Sequence, residues 1–109
     1  MIGRYKVITL CGSTRFKDQF LEQQARLTLE GYIVLSACVF LNSDEHRAIT
    51  AAQKRMLDDM HKRKIDLADE ILVINVGGYI GESTAAEIEY ARRNGRTVKY
   101  LEKPNQTIK

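Results

Sequence analysis

The chain has 109 residues, of which 44% are hydrophobic and 28% are charged, and this composition predicts one globular domain over residues 1–109. Its formal net charge of +3 is too small, and its basic residues too dispersed, to indicate binding to a nucleic acid polymer. No apolar run approaches the roughly 20 residues of a membrane span, and the N-terminus lacks a signal-peptide layout, so we expect a cytoplasmic protein with no membrane partner.

Four short runs of apolar and β-branched residues have the length of buried strands. They cover residues 6–11, 32–37, 71–76 and 97–101. Three longer stretches between them have the periodicity of amphipathic helices, near residues 14–30, 46–68 and 83–94. This alternation predicts an α/β fold in which helices cover both faces of a parallel sheet.

Helical-wheel positions, at about 100° per residue, predict which side of each helix faces the sheet. In the first helix the solvated face is predicted to carry Gln19, Glu22, Gln23, Arg26 and Glu30. In the second helix the sheet-facing arc is predicted to carry Ile49, Ala52, Met56, Met60 and Leu67. In the third helix the buried stripe is predicted to carry Thr84, Ile88 and Ala91.

Four to five parallel strands joined by right-handed crossovers are most simply arranged as a small doubly wound sheet, flavodoxin-like or Rossmann-like, with the order 2-1-3-4. In that order the chain reverses direction between the first and third strands. Ligands of such sheets bind at the carboxyl ends of the strands beside that point. Two glycine-containing loops, 12–15 and 76–83, are therefore predicted to meet at a ligand site.

The first of these loops follows a strand and opens a helix. Backbone N–H groups at a helix N-terminus attract anions, Gly12 permits close approach, and Arg15 offers a charge-assisted hydrogen bond to a phosphate. A simpler interpretation is that Ser13 or Thr14 caps the helix. The ligand contacts predicted from both loops are Gly12, Ser13, Thr14, Arg15, Gly77, Gly78, Gly81 and Ser83.

Glu87 is a candidate nucleophile or base in the third helix. Glu89 has Arg92 and Arg93 at i+3 and i+4, which predicts a solvated ion pair. Glu87 has no cationic neighbour at those spacings and lies about 160° from Glu89 around the helix, beside the buried stripe. The alternative is structural, because Thr84 and Glu87 have the spacing of a capping box.

Asp58 and His61 are weaker candidates, on the flank of the second helix. A lone histidine there is more often packed or half-exposed than catalytic, and Asp58, one turn earlier, is placed to orient its imidazole. Asp69 is rejected as catalytic because it precedes the third strand, at the far edge of the sheet from the loops. The polar segment 42–47, which includes His46, has the composition of a lid or substrate-lining loop.

Cys11 and Cys38 are too few for a disulfide framework and lack the spacing of a zinc site, so we expect two buried free thiols. The sequence contains neither a full G-x-G-x-x-G motif nor a P-loop. The sequence therefore predicts no structural metal, and it disfavours a dinucleotide site and a P-loop.

Three segments together resemble the nucleoside 2-deoxyribosyltransferase superfamily, which also contains deoxynucleoside 5′-monophosphate N-glycosidases. They are residues 10–15 (LCGSTR), 68–73 (ADEILV) and 81–91 (GESTAAEIEYA). The last is similar to the family's glycine-containing loop followed by an E-[LIM]-G-x-A helix. The resemblance spans nearly the whole chain, and it assigns the family's nucleophilic glutamate to Glu87.

The resemblance implies an enzyme that cleaves, or exchanges the base at, the N-glycosidic bond of a 2′-deoxynucleoside or its 5′-monophosphate. Glu87 would attack C1′, and water or a second base would resolve the glycosyl-enzyme ester. The loop 12–15 and Ser83 would hold the 5′ end of the sugar, with Arg15 favouring a phosphate. No cofactor is needed, and a homodimer or larger homo-oligomer is implied.

Three positions depart from the family pattern. Thr9 stands where a tyrosine is common, His61 where an acidic residue is usual, and Glu89 where the family has glycine. The alternative function is a non-catalytic nucleotide-sensing module of the same Rossmann-like group. A flavin-binding electron carrier is a third hypothesis, and it is disfavoured because the loops offer only Tyr79 for ring stacking.

Overall fold

The computed structural model describes residues 3–36 and 49–103. Over these ranges strands and helices alternate along the chain, as the apolar runs predict. In order they are β1 (Val7–Gly12), α1 (Lys17–Leu29), β2 (Ile33–Leu35), α2 (Ala51–Asp66), β3 (Glu70–Ile74), α3 (Glu82–Arg93) and β4 (Thr97–Tyr100). Short 3-10 turns follow β1 and β3, at Thr14–Phe16 and Val76–Gly78. None of the helices in the described ranges is long and apolar enough to cross a membrane.

All four strands are parallel, and their order is β2-β1-β3-β4. The predicted α/β fold and the 2-1-3-4 order are therefore confirmed. The central pair, β1 and β3, runs in register from Ile8 opposite Glu70 to Gly12 opposite Ile74. Because both strands end at the same level, the loops that follow them emerge side by side at one edge of the sheet.

Two apolar clusters show that helices cover both faces of the sheet. On one face the buried cluster joins α1 to the sheet through Ile8, Leu10, Phe20, Leu27, Leu72 and Ile74. On the other face it joins α2 and α3 to the sheet through Cys11, Ile65, Ile71, Val73, Ile88 and Ala91. The alternation of side chains along β1 divides its residues between the two clusters.

The predicted solvated face of α1 is wrong at one residue. Gln23 is buried together with Phe20 and Leu27, at the three- and four-residue spacings of one helical stripe. Its Oε1 accepts a hydrogen bond of 2.8 Å from Nε of Arg26, so the buried amide is not left without a partner.

The predicted sheet-facing side of α2 is wrong. Met56, Met60 and Leu67 are exposed, while His61 and Ile65 are buried. Helical-wheel reasoning assigns polar residues to solvent, but two polar residues of α2 have partners inside the fold. His61 contacts Cys11, and the Nζ of Lys64 donates a 2.7 Å hydrogen bond to the carbonyl of Ser36. The buried stripe of α3, Thr84, Ile88 and Ala91, is as predicted.

Several element boundaries differ from the predicted ones. The first helical turn after β1 is a 3-10 turn, so α1 begins only at Lys17. Helix α2 begins at Ala51, where Thr50 and Gln53 form a reciprocal capping box. The predicted lid 42–47, with His46, lies outside the described residues, as do Cys38 and the last residue of the predicted second strand.

Two leucines on α1 test the assignment of its buried face. Leu27 is 4% exposed and packs in the core, whereas Leu29 is 89% exposed. We expect Leu27→Ala to lower the free energy of unfolding by about 2–4 kcal/mol, because it removes buried methyl groups and leaves a cavity. The matched control Leu29→Ala should change it by less than about 0.5 kcal/mol. Urea denaturation followed by circular dichroism measures both, and equal losses would contradict this orientation of α1.

Candidate functional site

A cavity of about 420 Å³ opens at the carboxyl ends of β1 and β3. Its walls are the loop after β1, the segment before α3 with its first turns, and one side of α2. Of the predicted site residues, those that line it are Gly12, Ser13, Thr14, Asp58, His61, Gly81, Ser83 and Glu87. The cavity thus lies where the strand order places a ligand site in a doubly wound sheet.

Three predicted ligand contacts are not among the residues that line the cavity. Gly77 and Gly78 are exposed, and their positive φ angles of 65° and 82° serve the turn after β3. The N–H of Gly77 donates to Oε2 of Glu102 rather than pointing at a ligand. Arg15 is also exposed, with its guanidinium carbon 4.3 Å from the ring centroid of Tyr79, and Tyr79 does line the cavity.

Gly12 allows the loop after β1 to lie close against β3. A Cβ atom at this position would be 2.8 Å from the carbonyl oxygen of Ile74 and 3.1 Å from its Cβ, so a larger residue would push the two central strands apart. In the next residue, the Oγ of Ser13 accepts a 3.3 Å hydrogen bond from the N–H of Arg15. The capping interpretation is therefore confirmed for Ser13, at the 3-10 turn.

Glu87 does not belong to a capping box. Helix α3 begins at Glu82, and its N-cap, Gly81, makes no side-chain capping hydrogen bond. Thr84 lies inside the helix and is buried, so it is not the N-cap residue. Thr84 and Glu87 therefore have the spacing of a capping box but do not occupy its N-cap and N3 positions. Glu89, by contrast, forms the predicted exposed ion pair, with its Oε2 3.2 Å from Nε of Arg93.

Three side chains from three different elements meet beside the cavity, which His61 and Glu87 line and Cys11 does not. Cys11 comes from β1, His61 from α2 and Glu87 from α3. The Sγ of Cys11 lies 3.3 Å from Nε2 of His61, and Oε1 of Glu87 lies 3.5 Å from the same nitrogen. The Cys11 and His61 side chains are buried, and the Glu87 side chain is only 19% exposed.

Burial controls the protonation of all three groups. It raises the pKa of Glu87 to about 7, helped by the negative charge of Asp58 and opposed by a hydrogen bond from Cys11. Burial, together with the positive charge of Lys64, lowers the pKa of His61 to about 4. Burial and the neighbouring Glu87 raise the pKa of the Cys11 thiol. At neutral pH the site therefore holds a neutral imidazole, a protonated thiol and a partly ionised carboxyl group.

Asp58 does not orient the imidazole of His61 as predicted. Both of its carboxylate oxygens accept hydrogen bonds from Nζ of Lys54, at 3.1 and 3.0 Å. Within the described part of the chain, Nδ1 of His61 has no hydrogen-bond partner. The imidazole is instead held at Nε2, by Cys11 and Glu87, and Asp58 acts on the site through its charge.

Cys11 is a site residue that sequence reasoning misses, because a thiol within an apolar strand is expected in the core. Lys54 and Lys64, which line the cavity, are not predicted either. Thr9 and Cys11 interrupt the apolar run of β1 with polar atoms on the same face. The Oγ1 of Thr9 donates to the carbonyl of Lys64, one turn along α2 from His61. The sequence signal that could have found Cys11 is this pair of polar side chains, two residues apart on one face of an otherwise apolar strand.

Asp69 lies away from the cavity, as predicted. Its Oδ2 accepts a 2.8 Å hydrogen bond from the N–H of Val7, at the amino ends of β1 and β3. This contact ties the chain before β3 to the start of β1, which is a structural role.

Comparisons of the chain with protein-family models, with curated proteins and with solved structures found no match.

The pKa of Glu87 predicts that its neutral isostere stabilises the fold. The folded chain retains a proton that the unfolded chain, with the ordinary value of 4.5, releases, so stability is lost as the pH rises from about 4.5 to about 7. Glu87→Gln should therefore raise the free energy of unfolding by roughly 1–3 kcal/mol at about pH 8, and by several-fold less at about pH 5.

His61 changes the pH dependence of stability in the opposite direction. Because its pKa is lowered, its contribution to the free energy of unfolding grows as the pH rises from about 4 to 6.5. His61 is present in both proteins, so the difference in the free energy of unfolding between Glu87→Gln and wild type isolates the contribution of Glu87. Thermal unfolding in the presence of a chelator measures this difference. Glu89→Gln, on the exposed side of the same helix, is the matched control. A Glu87→Gln gain that is the same at both pH values would contradict the burial of an ionisable carboxyl group here.

Proposed function

We propose that the chain is an enzyme of nucleotide metabolism that cleaves the N-glycosidic bond of a 2′-deoxynucleoside or its 5′-monophosphate, with Glu87 as the nucleophile. The observation that carries this proposal is the position of the Glu87 carboxyl group. It is largely buried, it faces a cavity, and no lysine or arginine of the described residues forms a salt bridge with it. The family resemblance assigns the nucleophile to this same residue.

The size and position of the cavity support a nucleoside-sized substrate. A volume of about 420 Å³ is within the range of sites that enclose small organic ligands. The cavity includes the first turn of α3, whose N-cap residue Gly81 supplies no capping side chain, so the backbone N–H groups there are available to a ligand. Together with the hydroxyl groups of Ser13 and Ser83, this end of the cavity suits the 5′ oxygen or phosphate of the sugar.

In the proposed reaction, an oxygen of Glu87 attacks C1′ of the sugar. The C1′–N bond breaks, and the base leaves with the bonding electrons and takes a proton from water. The negative charge of the Glu87 carboxylate stabilises the positive charge that develops on the sugar ring in the transition state. Such electrostatic stabilisation is stronger where water is excluded. Hydrolysis of the ester by water, or attack by a second base, then restores the Glu87 carboxylate.

Cys11 and His61 are proposed as positioning residues. Their contacts fix the position of the Glu87 carboxyl group. Because the imidazole of His61 is neutral, it does not neutralise the charge of the Glu87 carboxylate. Cys11 is a poor nucleophile, because its side chain is fully buried, does not line the cavity and has a raised pKa. This disfavours a thiol-dependent enzyme with the same three residue types.

The homo-oligomer implied by the resemblance remains part of the proposal. The exposed side of α2 offers apolar surface for it, at Met56, Met60 and Leu67. Met60 also lines the cavity, so association through this side would bring a neighbouring subunit close to the site.

The test is release of free base from a panel of 2′-deoxynucleosides and their 5′-monophosphates, measured chromatographically in the presence of a chelator. Glu87→Gln should lower the rate by at least about 1,000-fold, because the amide cannot form the ester, while Glu89→Gln should keep wild-type activity. The rate of the wild type should rise with pH through about 7, since the attacking carboxyl group must be ionised.

No base release from any member of the panel would contradict the proposal. Nucleotide binding of equal affinity in wild type and Glu87→Gln, with no base released by either, would instead favour the nucleotide-sensing module. A rate that is constant between about pH 5 and pH 9 would show that Glu87 is not the group that titrates in the reaction.

A further inference from the structure

Cys11, His61 and Glu87 bring three possible metal-ligand atoms together, and two of the three distances between these atoms are close to those in a metal site. In a tetrahedral zinc site the metal lies about 2.3 Å from a thiolate sulfur and about 2.0–2.2 Å from nitrogen and oxygen ligands, so neighbouring ligand atoms are about 3.4–3.6 Å apart. Here the sulfur–nitrogen distance is 3.3 Å and the nitrogen–oxygen distance is 3.5 Å. The three ligand atoms all lie within 4.8 Å of one another.

We propose that these three side chains form a site for Zn²⁺, with the fourth coordination position open to the cavity. A thiolate, an imidazole and a carboxylate are a mixed donor set that suits zinc, whereas Mg²⁺ and Ca²⁺ prefer oxygen ligands alone. Three protein ligands with one open position is the arrangement that accepts water or a small ligand on the metal.

The surroundings of the cluster favour a metal on two grounds. The ligands project from a central strand and two helices that are packed together in one apolar cluster, so little ordering is needed on binding. The charges also balance, because Zn²⁺ with one thiolate, one carboxylate and a neutral imidazole has no net charge, which suits a buried position. Binding displaces the thiol proton of Cys11 and any proton on Glu87.

The hydrogen bonding of the other ring nitrogen of His61 affects the expected affinity for the metal. A histidine that binds zinc usually donates its other ring N–H to an acceptor, and loss of that partner costs about 10–100-fold in affinity. Nδ1 of His61 has no such acceptor within residues 3–36 and 49–103. We therefore expect reversible binding that a chelator removes, rather than a permanent structural metal.

An occupied site would also switch off the proposed enzyme, and this part of the inference rests on the proposed function. A metal bound to the Glu87 carboxylate would withdraw electron density from the group that attacks C1′ and would so lower its nucleophilicity. Zn²⁺ should therefore inhibit base release, and a chelator should restore it.

Metal binding is tested without substrate, on tag-free protein with Co²⁺ as the spectroscopic probe for Zn²⁺. Cys38 is first replaced by serine, so that a sulfur-to-cobalt charge-transfer band reports on Cys11. We expect one Co²⁺ per chain, visible bands typical of tetrahedral coordination, and stoichiometric displacement by Zn²⁺. In the Cys38→Ser background, Cys11→Ser, His61→Gln and Glu87→Gln should each weaken binding by at least about 10-fold, and Glu89→Gln should not change it.

Absence of the charge-transfer band in the Cys38→Ser protein, or its persistence after Cys11→Ser, would overturn the metal site. If Cys11→Ser does not fold by circular dichroism, Glu87→Gln carries the same test, since the amide is a poor zinc ligand and the substitution is conservative. A normal metal site in a protein that releases no base would contradict only the proposed function. A catalytic protein that binds no Co²⁺ would contradict only the metal site, and base release unaffected by bound Zn²⁺ would contradict the inhibition.

Discussion

The burial of the Glu87 carboxyl group against Cys11 and His61 is the constraint on which the site depends. A carboxylate out of water is costly unless it is paired, and the described contacts of Glu87 are with a thiol and a neutral imidazole rather than with a cation. The fold therefore carries a destabilising group at a cavity wall. Such an arrangement is typical of residues retained for chemistry, since a neutral or apolar side chain there would make the fold more stable.

The rest of the fold explains how three separate elements reach this point. Parallel pairing of β1 with β3 brings their carboxyl ends level, and Gly12 keeps those ends close by leaving no Cβ to meet Ile74. The alternation of side chains along β1 then turns Cys11 toward the face covered by α2 and α3. Beside the apolar residues of this contact, α2 contributes His61 and α3 contributes Glu87, which is how the two side chains meet next to Cys11.

The sheet and the position of the cavity could be predicted from the sequence, because both follow from local apolar runs and the rules of parallel connections. The buried faces of the helices were harder to predict. Helical-wheel reasoning places His61 on a flank and Gln23 in solvent, because it uses only the polarity of each residue. It does not include the partners that allow these side chains to be buried, which are Cys11 for His61 and Arg26 for Gln23. The same reasoning assigns Met56 and Met60 to the sheet, although both are exposed and His61 is buried instead. The spacing of Thr84 and Glu87 fitted a capping box, but only the true helix start at Glu82 could exclude it.

A single group thus connects the proposed catalysis, the proposed zinc site and the altered stability, and its ionisation can be observed directly. The most direct measurement is a ¹³C NMR titration of the side-chain carboxyl carbon of Glu87 in metal-free protein, assigned by comparison with Glu87→Gln, with Glu89 as the internal reference. The burial of Glu87 predicts a midpoint near 7, well above that of an ordinary exposed carboxyl group. A midpoint near the ordinary value of 4.5 would show that the carboxyl group is solvated or paired, which contradicts its burial as an unpaired group.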